Sequence, residues 1–209
     1  MRSNGTTTRR VTDDRVRRAG GNGETLPQIL FISCTEARIA PQRFVSHPDQ
    51  LFEMRNIGNI VPPYNPKVIS GEIATIEYAL SLPHLSEVVI SGHSSCGAVA
   101  ALLDNNFKSV SPSVRRWLVV GSSRAASRDA MGKPTDRPTM QAFDRAARAH
   151  LLTQLAHLAG YPGLESGRSN GRLRLRALFH VGETGSTELY SPREDRFIPL
   201  SREGGRAGR

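Results

Sequence analysis

Val88-Val-Ile-Ser-Gly-His93-Ser-Ser-Cys96-Gly97-Ala-Val99 decides the fold. It opens with a short apolar run rich in β-branched side chains and closed by Ser-Gly, the pattern of a buried strand. His93 and Cys96 follow three residues apart. The small and apolar residues from Gly97 to Leu103 then read as a helix. A strand therefore delivers two soft metal ligands at its carboxyl end, just where a helix begins.

A second stretch repeats this arrangement. Gln28-Ile-Leu-Phe-Ile-Ser33 is an apolar run with the pattern of a strand buried on both faces. It ends at Cys34-Thr-Glu36-Ala-Arg38. The two cysteines occupy equivalent positions, each just past a buried strand. Ligand sites in open parallel α/β sheets collect at that edge.

The remaining elements extend the alternation. Leu51-Phe-Glu-Met54 is a shorter apolar segment, followed by a loop over Arg55-Asn-Ile-Gly-Asn59 and Pro62-Pro63. Ser70 caps a helix over residues 71 to about 82, with Ile73, Ile76, Tyr78 and Leu80 as its apolar stripe and Pro83 as its stop. Pro112 after Ser111 starts another helix, to about residue 120. Residues 121–138 are polar and read as a helix end and a mobile loop. Residues 139–158 form the longest periodic segment, with Met140, Phe143, Ala147, Leu151, Leu155 and Leu158 on one face and Gly160 and Pro162 at its end. Residues 172–181 alternate arginine with Leu and Ala, as a half-exposed strand does. A turn over 182–186 and a hairpin return over 187–190 follow. The expected fold is α/β, a mostly parallel central sheet with an antiparallel edge strand, flanked by helices.

One domain is expected over residues 25–200, preceded by a flexible basic arm over 1–24 with a short helix near 11–18, and followed by a tail over 201–209. The net charge of +9 comes almost wholly from arginine, with only Lys67, Lys108 and Lys133 as lysines. The arginines are spread along the chain and densest near its ends. That distribution reads as a solvated surface with charged tails rather than as a nucleic-acid site. No stretch approaches the roughly 20 apolar residues of a membrane span. The first residues carry no apolar core of a secretory signal, so the expected compartment is the cytoplasm.

Cys34 and Cys96 are the only cysteines. Two cannot build a disulfide framework or a four-cysteine structural zinc site. With His93 they offer the Cys₂His set of a catalytic zinc, which takes three protein ligands and keeps one position for water. Closing that position would need another histidine, a carboxylate or solvent. His150 and His157, one heptad apart in the long helix, read as a helix-face pair. His47, His84 and His180 lack ligand spacing. Glu36 beside such a site can orient the water and accept its proton, and Arg38 can pair bidentately with Glu36 and hold it ionised. As a bare loop pair the same two residues would be worth under about 1 kcal/mol.

The segments Cys34-Thr-Glu36-Ala-Arg38, Arg55-Asn-Ile-Gly-Asn59 and Gly92-His93-Ser-Ser-Cys96-Gly97 resemble, in this order, those of the β-class carbonic anhydrases. Leu151-Leu-Thr-Gln-Leu-Ala-His-Leu-Ala-Gly-Tyr-Pro162 and Phe179-His-Val-Gly-Glu-Thr-Gly185 are similar to that family's later helix and final strand region. The resemblance covers about residues 28–200. It implies a Zn2+ enzyme interconverting carbon dioxide and bicarbonate, with Cys34, His93 and Cys96 matching the metal ligands. It also implies a homodimer or a higher even oligomer. Arg38 matches the arginine of the family's aspartate–arginine pair, but Glu36 stands where the family has aspartate. The extra methylene leaves two roles open, orienting the water or ligating the metal. The segment before Gln28 is short and Gly-rich, where family members carry helices that pack on a partner subunit. Two alternatives stand beside the hydration reaction: hydrolysis of carbonyl sulfide or carbon disulfide at the same site, and a non-catalytic zinc protein in which Glu36 closes the site.

Overall fold

The structure, a computed structural model, describes residues 26–36, 40–44, 48–103, 110–122 and 139–200. The two arms, the helix near 11–18 and most of the 121–138 loop lie outside the described residues. Among the described residues no helix is long and apolar enough to cross a membrane.

Six strands form one sheet: β1 (Ile29–Cys34), β2 (Leu51–Asn56), β3 (Glu87–His93), β4 (Arg174–Val181), β5 (Ser186–Ser191) and β6 (Arg196–Pro199). Their spatial order is β2-β1-β3-β4-β5-β6. The first four run parallel, and β5 and β6 complete the sheet antiparallel. Every residue of β1 and β3 is buried, which is why both read as continuous apolar runs instead of alternating ones. The two strands pair in register, Ile32 against Ile90 and Ser33 against Ser91, so their carboxyl ends lie side by side. The chain leaves β1 to form β2 on one side and returns to form β3 on the other. The gap between the ends of β1 and β3 is therefore the topological switch point, where an open α/β sheet leaves a crevice.

Among the described residues five α-helices flank the sheet: α1 (Gly71–Ser81), α2 (Gly97–Leu103), α3 (Pro112–Gly121), α4 (Met140–Ala159) and α5 (Pro162–Ser169). Side-chain oxygens of Ser70, Ser111 and Thr139 accept the free N–H groups of Ile73, Val114 and Ala142 in the first turns of α1, α3 and α4. Helix α4 packs on β3 where Gly92 has no side chain. A Cβ there would sit 3.3 Å from Leu151, itself fully buried.

Several details depart from the pattern read in the sequence. Strand β2 continues through Arg55 and Asn56, into the expected loop, because the Asn56 side chain closes the following turn. It accepts the N–H of Ile60 at 2.7 Å and donates to its carbonyl at 2.8 Å. Pro162 does more than end α4, since it is the first residue of α5, where its missing N–H costs nothing. The antiparallel edge has two strands, as β6 pairs with β5. Tyr78 and Met140, although they belong to the apolar stripes of α1 and α4, are 60% and 62% exposed. The buried face of α4 is turned towards Ala146, His150 and Gln154, because the polar pair bonds the backbone of the segment after β2 and of the end of α3.

Candidate metal centre

Cys34 ends β1 and His93 ends β3, while Cys96 lies just before α2 after a turn in which Ser95 has φ 55°. The three side chains converge at the switch point. Sγ of Cys34 lies 4.0 Å from Sγ of Cys96. Two sulfurs on one tetrahedral zinc, each at about 2.3 Å, would be about 3.8 Å apart. The observed spacing is close to that and far from the roughly 2.05 Å of a disulfide; both cysteines are free.

The His93 ring is oriented by its own loop. Nδ1 lies 2.8 Å from the carbonyl of Ser94, which fixes it as the protonated nitrogen. Nε2 is left as a lone pair, buried and without a hydrogen-bond partner. A metal-binding histidine is held in this way, with one nitrogen on a backbone carbonyl and the other on the ion. The ligand atoms of Cys34, Glu36, His93 and Cys96 all lie within 4.8 Å of one another. An orphaned imidazole nitrogen beside two thiols is a donor set suited to zinc.

The sulfur pair is polarised. The contact with the Cys96 thiol lowers the Cys34 thiol pKa to about 3, overcoming the opposing effect of burial. The N–H of Gly58, 3.3 Å from Cys34 Sγ, acts in the same sense. The same thiol contact, with burial, pushes Cys96 up. The two sulfurs thus share a proton between them, and a divalent cation would displace it, since a metal takes its thiol ligands deprotonated.

Glu36 stands at the rim. Its Oε2 accepts the N–H of Gly97 at 2.7 Å, at the start of α2. Position 97 tolerates this approach because it has no side chain, as a Cβ there would lie 2.9 Å from Oε2. Arg38 lies outside the described residues.

A cavity of about 400 Å³ opens beside the cluster, and Glu36, His93, Ser94, His180 and Glu183 are among its lining residues. Glu183 was not singled out in the sequence. It accepts from Ser94 Oγ at 3.0 Å and from Ser95 Oγ at 3.3 Å, so the two serines between the ligands anchor a carboxylate in the cavity lining. Its own backbone N–H and the Ser94 hydroxyl hold its carboxyl below the usual range. The serine pair His93-Ser-Ser-Cys96 was visible in the sequence, but its partner 89 residues away was not. Nδ1 of His180, which pairs with His93 across β3 and β4, lies 3.4 Å from Thr187 Oγ1.

The other two α4 histidines serve the backbone. His150 Nε2 and His157 Nδ1 each lie 2.7 Å from a loop carbonyl, of Gly58 and Val61 respectively. His47 lies outside the described residues.

Comparison with known proteins gives one consistent result. The family model described as carbonic anhydrase matches residues 29–187. The chain is 31% identical over 176 residues to a carbonic anhydrase of Pseudomonas aeruginosa, covering 84% of this chain and 78% of that protein. It is 34% identical over 179 residues to carbonic anhydrase 1 of Escherichia coli O157:H7, with the same coverage of 84% and 78%. Among solved structures, it superposes on the β-carbonic anhydrase CcaA with a TM-score of 0.72 at 32% identity, covering 84% of this chain and 78% of that one.

Proposed function

The chain belongs to the β-carbonic anhydrase family, and from that premise we propose that Cys34, His93 and Cys96 hold one Zn2+ at which carbon dioxide is reversibly hydrated to bicarbonate. The observation that carries this reading is the unpartnered, buried Nε2 of His93 facing two cysteine sulfurs 4.0 Å apart. When bound, zinc supplies the Lewis acidity that brings a coordinated water's pKa from 15.7 to about 7.

The residues of the chain supply the remainder. The Ser94 carbonyl sets the His93 tautomer, so the ring presents a lone pair at every metal-binding event. Gly58 N–H stabilises the Cys34 thiolate. Glu36, anchored through Oε2 to Gly97, leaves Oε1 to accept a proton from water beside the cluster. That anchor favours an orienting role over ligation, because ligation would draw the carboxylate from a charge-assisted hydrogen bond. Arg38, two residues on, is proposed as the charge partner of Glu36. The cavity beside His93 admits the substrate, and the anchored carboxylate of Glu183 adds a polar group to its lining.

The working form is proposed to be a homodimer or a higher even oligomer. Strand β2 is an unpaired edge, and Ile57, Val68, Ile69 and Tyr78 are exposed apolar side chains on and near the β2–α1 side. The proposed location is the cytoplasm, a reading supported by two thiols that must stay reduced to bind metal.

Stopped-flow carbon dioxide hydration with metal quantification tests the assignment. One zinc per chain and activity lost in Cys34→Ser are expected. A zinc-replete protein with no hydration between pH 7 and 9 overturns it, and parallel assays with carbonyl sulfide and carbon disulfide identify the hydrolase alternative. A carboxylate oxygen of Glu36 at about 2.0–2.2 Å from the metal would identify the closed, non-catalytic form.

A further inference from the structure

The alternation of arginine and leucine at the start of β4 has no role in the zinc site. It faces the opposite edge of the sheet. Glu87 and Arg174 open β3 and β4 side by side, and His93 closes β3 six residues later. At about 3.3 Å per residue, this edge lies about 20 Å from the metal cluster.

An open groove of about 870 Å³ lies there, walled by Arg168 of α5, Arg174 and Arg176 of β4 and Arg193 of the β5–β6 turn. Leu175 and Pro192 supply apolar wall, and Glu165 is the one carboxylate among the lining residues. Arg174 and Arg176 are set in place by Glu87, which is completely buried. Arg174 Nη2 lies 3.2 Å from one of its oxygens and Arg176 Nε 2.7 Å from the other. These contacts use one edge of each guanidinium and leave further N–H donors for a ligand.

The other two arginines are not neutralised. Among the described residues neither Arg168 nor Arg193 forms an ion pair. The acids next to Arg193 are occupied elsewhere: Glu194 pairs with Arg196, and Asp195 accepts the Tyr190 hydroxyl at 2.6 Å. Arg172 does not join the groove, because its guanidinium donates to the carbonyls of Leu82 and Leu85. Four guanidiniums thus face two carboxylates, and a surplus of two positive charges is gathered around one concavity. A solvated surface would instead intersperse its charges.

We propose that this groove binds a small molecule carrying two or more phosphate groups. Guanidinium forks match phosphate oxygens in pairs. The charge surplus suits a dianion or a more highly charged group. The volume falls within the roughly 300–1,000 Å³ of small-molecule sites, and the Leu175–Pro192 wall accepts an organic portion.

The test is isothermal titration of the full-length, zinc-loaded protein with ATP, AMP and inorganic pyrophosphate at about 150 mM salt. Arg168→Gln/Arg193→Gln is the variant of choice, since it spares the buried Glu87 pair and should leave the thermal midpoint unchanged. The expected result is one ATP per chain, AMP at least tenfold weaker, and at least tenfold weaker ATP binding in the double variant. Pyrophosphate matching ATP supports the site and assigns recognition to the phosphates alone. Equal affinities for ATP and AMP, undiminished ATP binding by the double variant, or no saturable ATP binding overturns it. So does a short DNA duplex that displaces ATP and binds more tightly, which would make the groove a nucleic-acid surface.

Discussion

His150 and Gly58 lie 2.7 Å apart, from imidazole Nε2 to carbonyl oxygen, and the N–H of the same glycine donates to Sγ of Cys34. One peptide residue thus connects the middle of α4 to a proposed metal ligand. Gly58 has φ 79°, a conformation that side chains resist, and a Cβ on it would lie 2.9 Å from that of Ala98. Gln154, one turn further along α4, holds the same loop region by accepting Val61 N–H at 3.0 Å and donating to the Gly121 carbonyl at 2.7 Å. The buried polar residues of α4 therefore position a sulfur they do not touch.

His150→Phe removes the donor while keeping a planar ring. A buried carbonyl left without its partner costs about 1–3 kcal/mol. Loosening of the Gly58–Cys34 bond should lower zinc affinity about 10–100-fold, as loss of an outer-shell partner does. Chelator competition reads the affinity and thermal denaturation reads the stability. Unchanged affinity together with lowered stability would show that Gly58 holds its place without the histidine.

The same residue gives the fold a pH dependence. Burial is the main cause that lowers the His150 pKa, so the native ring is neutral where an unfolded one takes up a proton. The unfolded state binds more protons once the pH drops below about 6.5, so stability is highest above that value and falls as the pH is lowered, until native His150 protonates too. Urea titrations from pH 7.5 to 5 should show a steeper loss for the native sequence than for His150→Phe. Equal slopes would mean that His150 is charged in the fold.

Gly97→Ala tests the seat of Glu36. The new Cβ falls within 2.9 Å of Oε2 and pushes the carboxylate out. A displacement near 1 Å can cost about 10²-fold in rate. Hydration activity should drop by one to two orders of magnitude with zinc content unchanged. Full activity would remove Glu36 from the reaction.

Glu36→Gln separates charge from position. The amide oxygen can still accept Gly97 N–H, but the side chain no longer takes a proton. A loss of about 10²–10⁴-fold in kcat with zinc retained is the result expected of a general base. If zinc leaves as well, as read by metal analysis, Glu36 is a ligand.

The elements that carry the centre were the most legible in the sequence. β1 and β3 are buried on both faces and read as short continuous apolar runs. Cys34 and His93 stand at their ends, where topology concentrates ligands. Ser70 and the Ser111-Pro112 pair announced α1 and α3 through local chemistry. What stayed hidden depends on partners far along the chain or on signals with two meanings. Glu183 acquires its place only through Ser94 and Ser95. Pro162 stops one helix and starts the next. β6 is a four-residue strand whose Arg-Phe-Ile-Pro pattern is too short to show a period. The polar face of α4 was turned inward by loop carbonyls that periodicity cannot anticipate.

Metal removal gives the most direct reading of the centre. Zinc that binds only the native state should stabilise it by about 4 kcal/mol at a free concentration 1,000 times its Kd. Thermal scans of chelator-treated protein should therefore show a clear upward shift of the midpoint when zinc is restored. Cys96→Ser removes one of the two sulfurs and should abolish most of that shift, and Cys34→Ser should do the same. His84→Ala, whose side chain lies away from the cluster, should keep it in full. A shift of equal size in Cys96→Ser and in the native protein would place the zinc elsewhere.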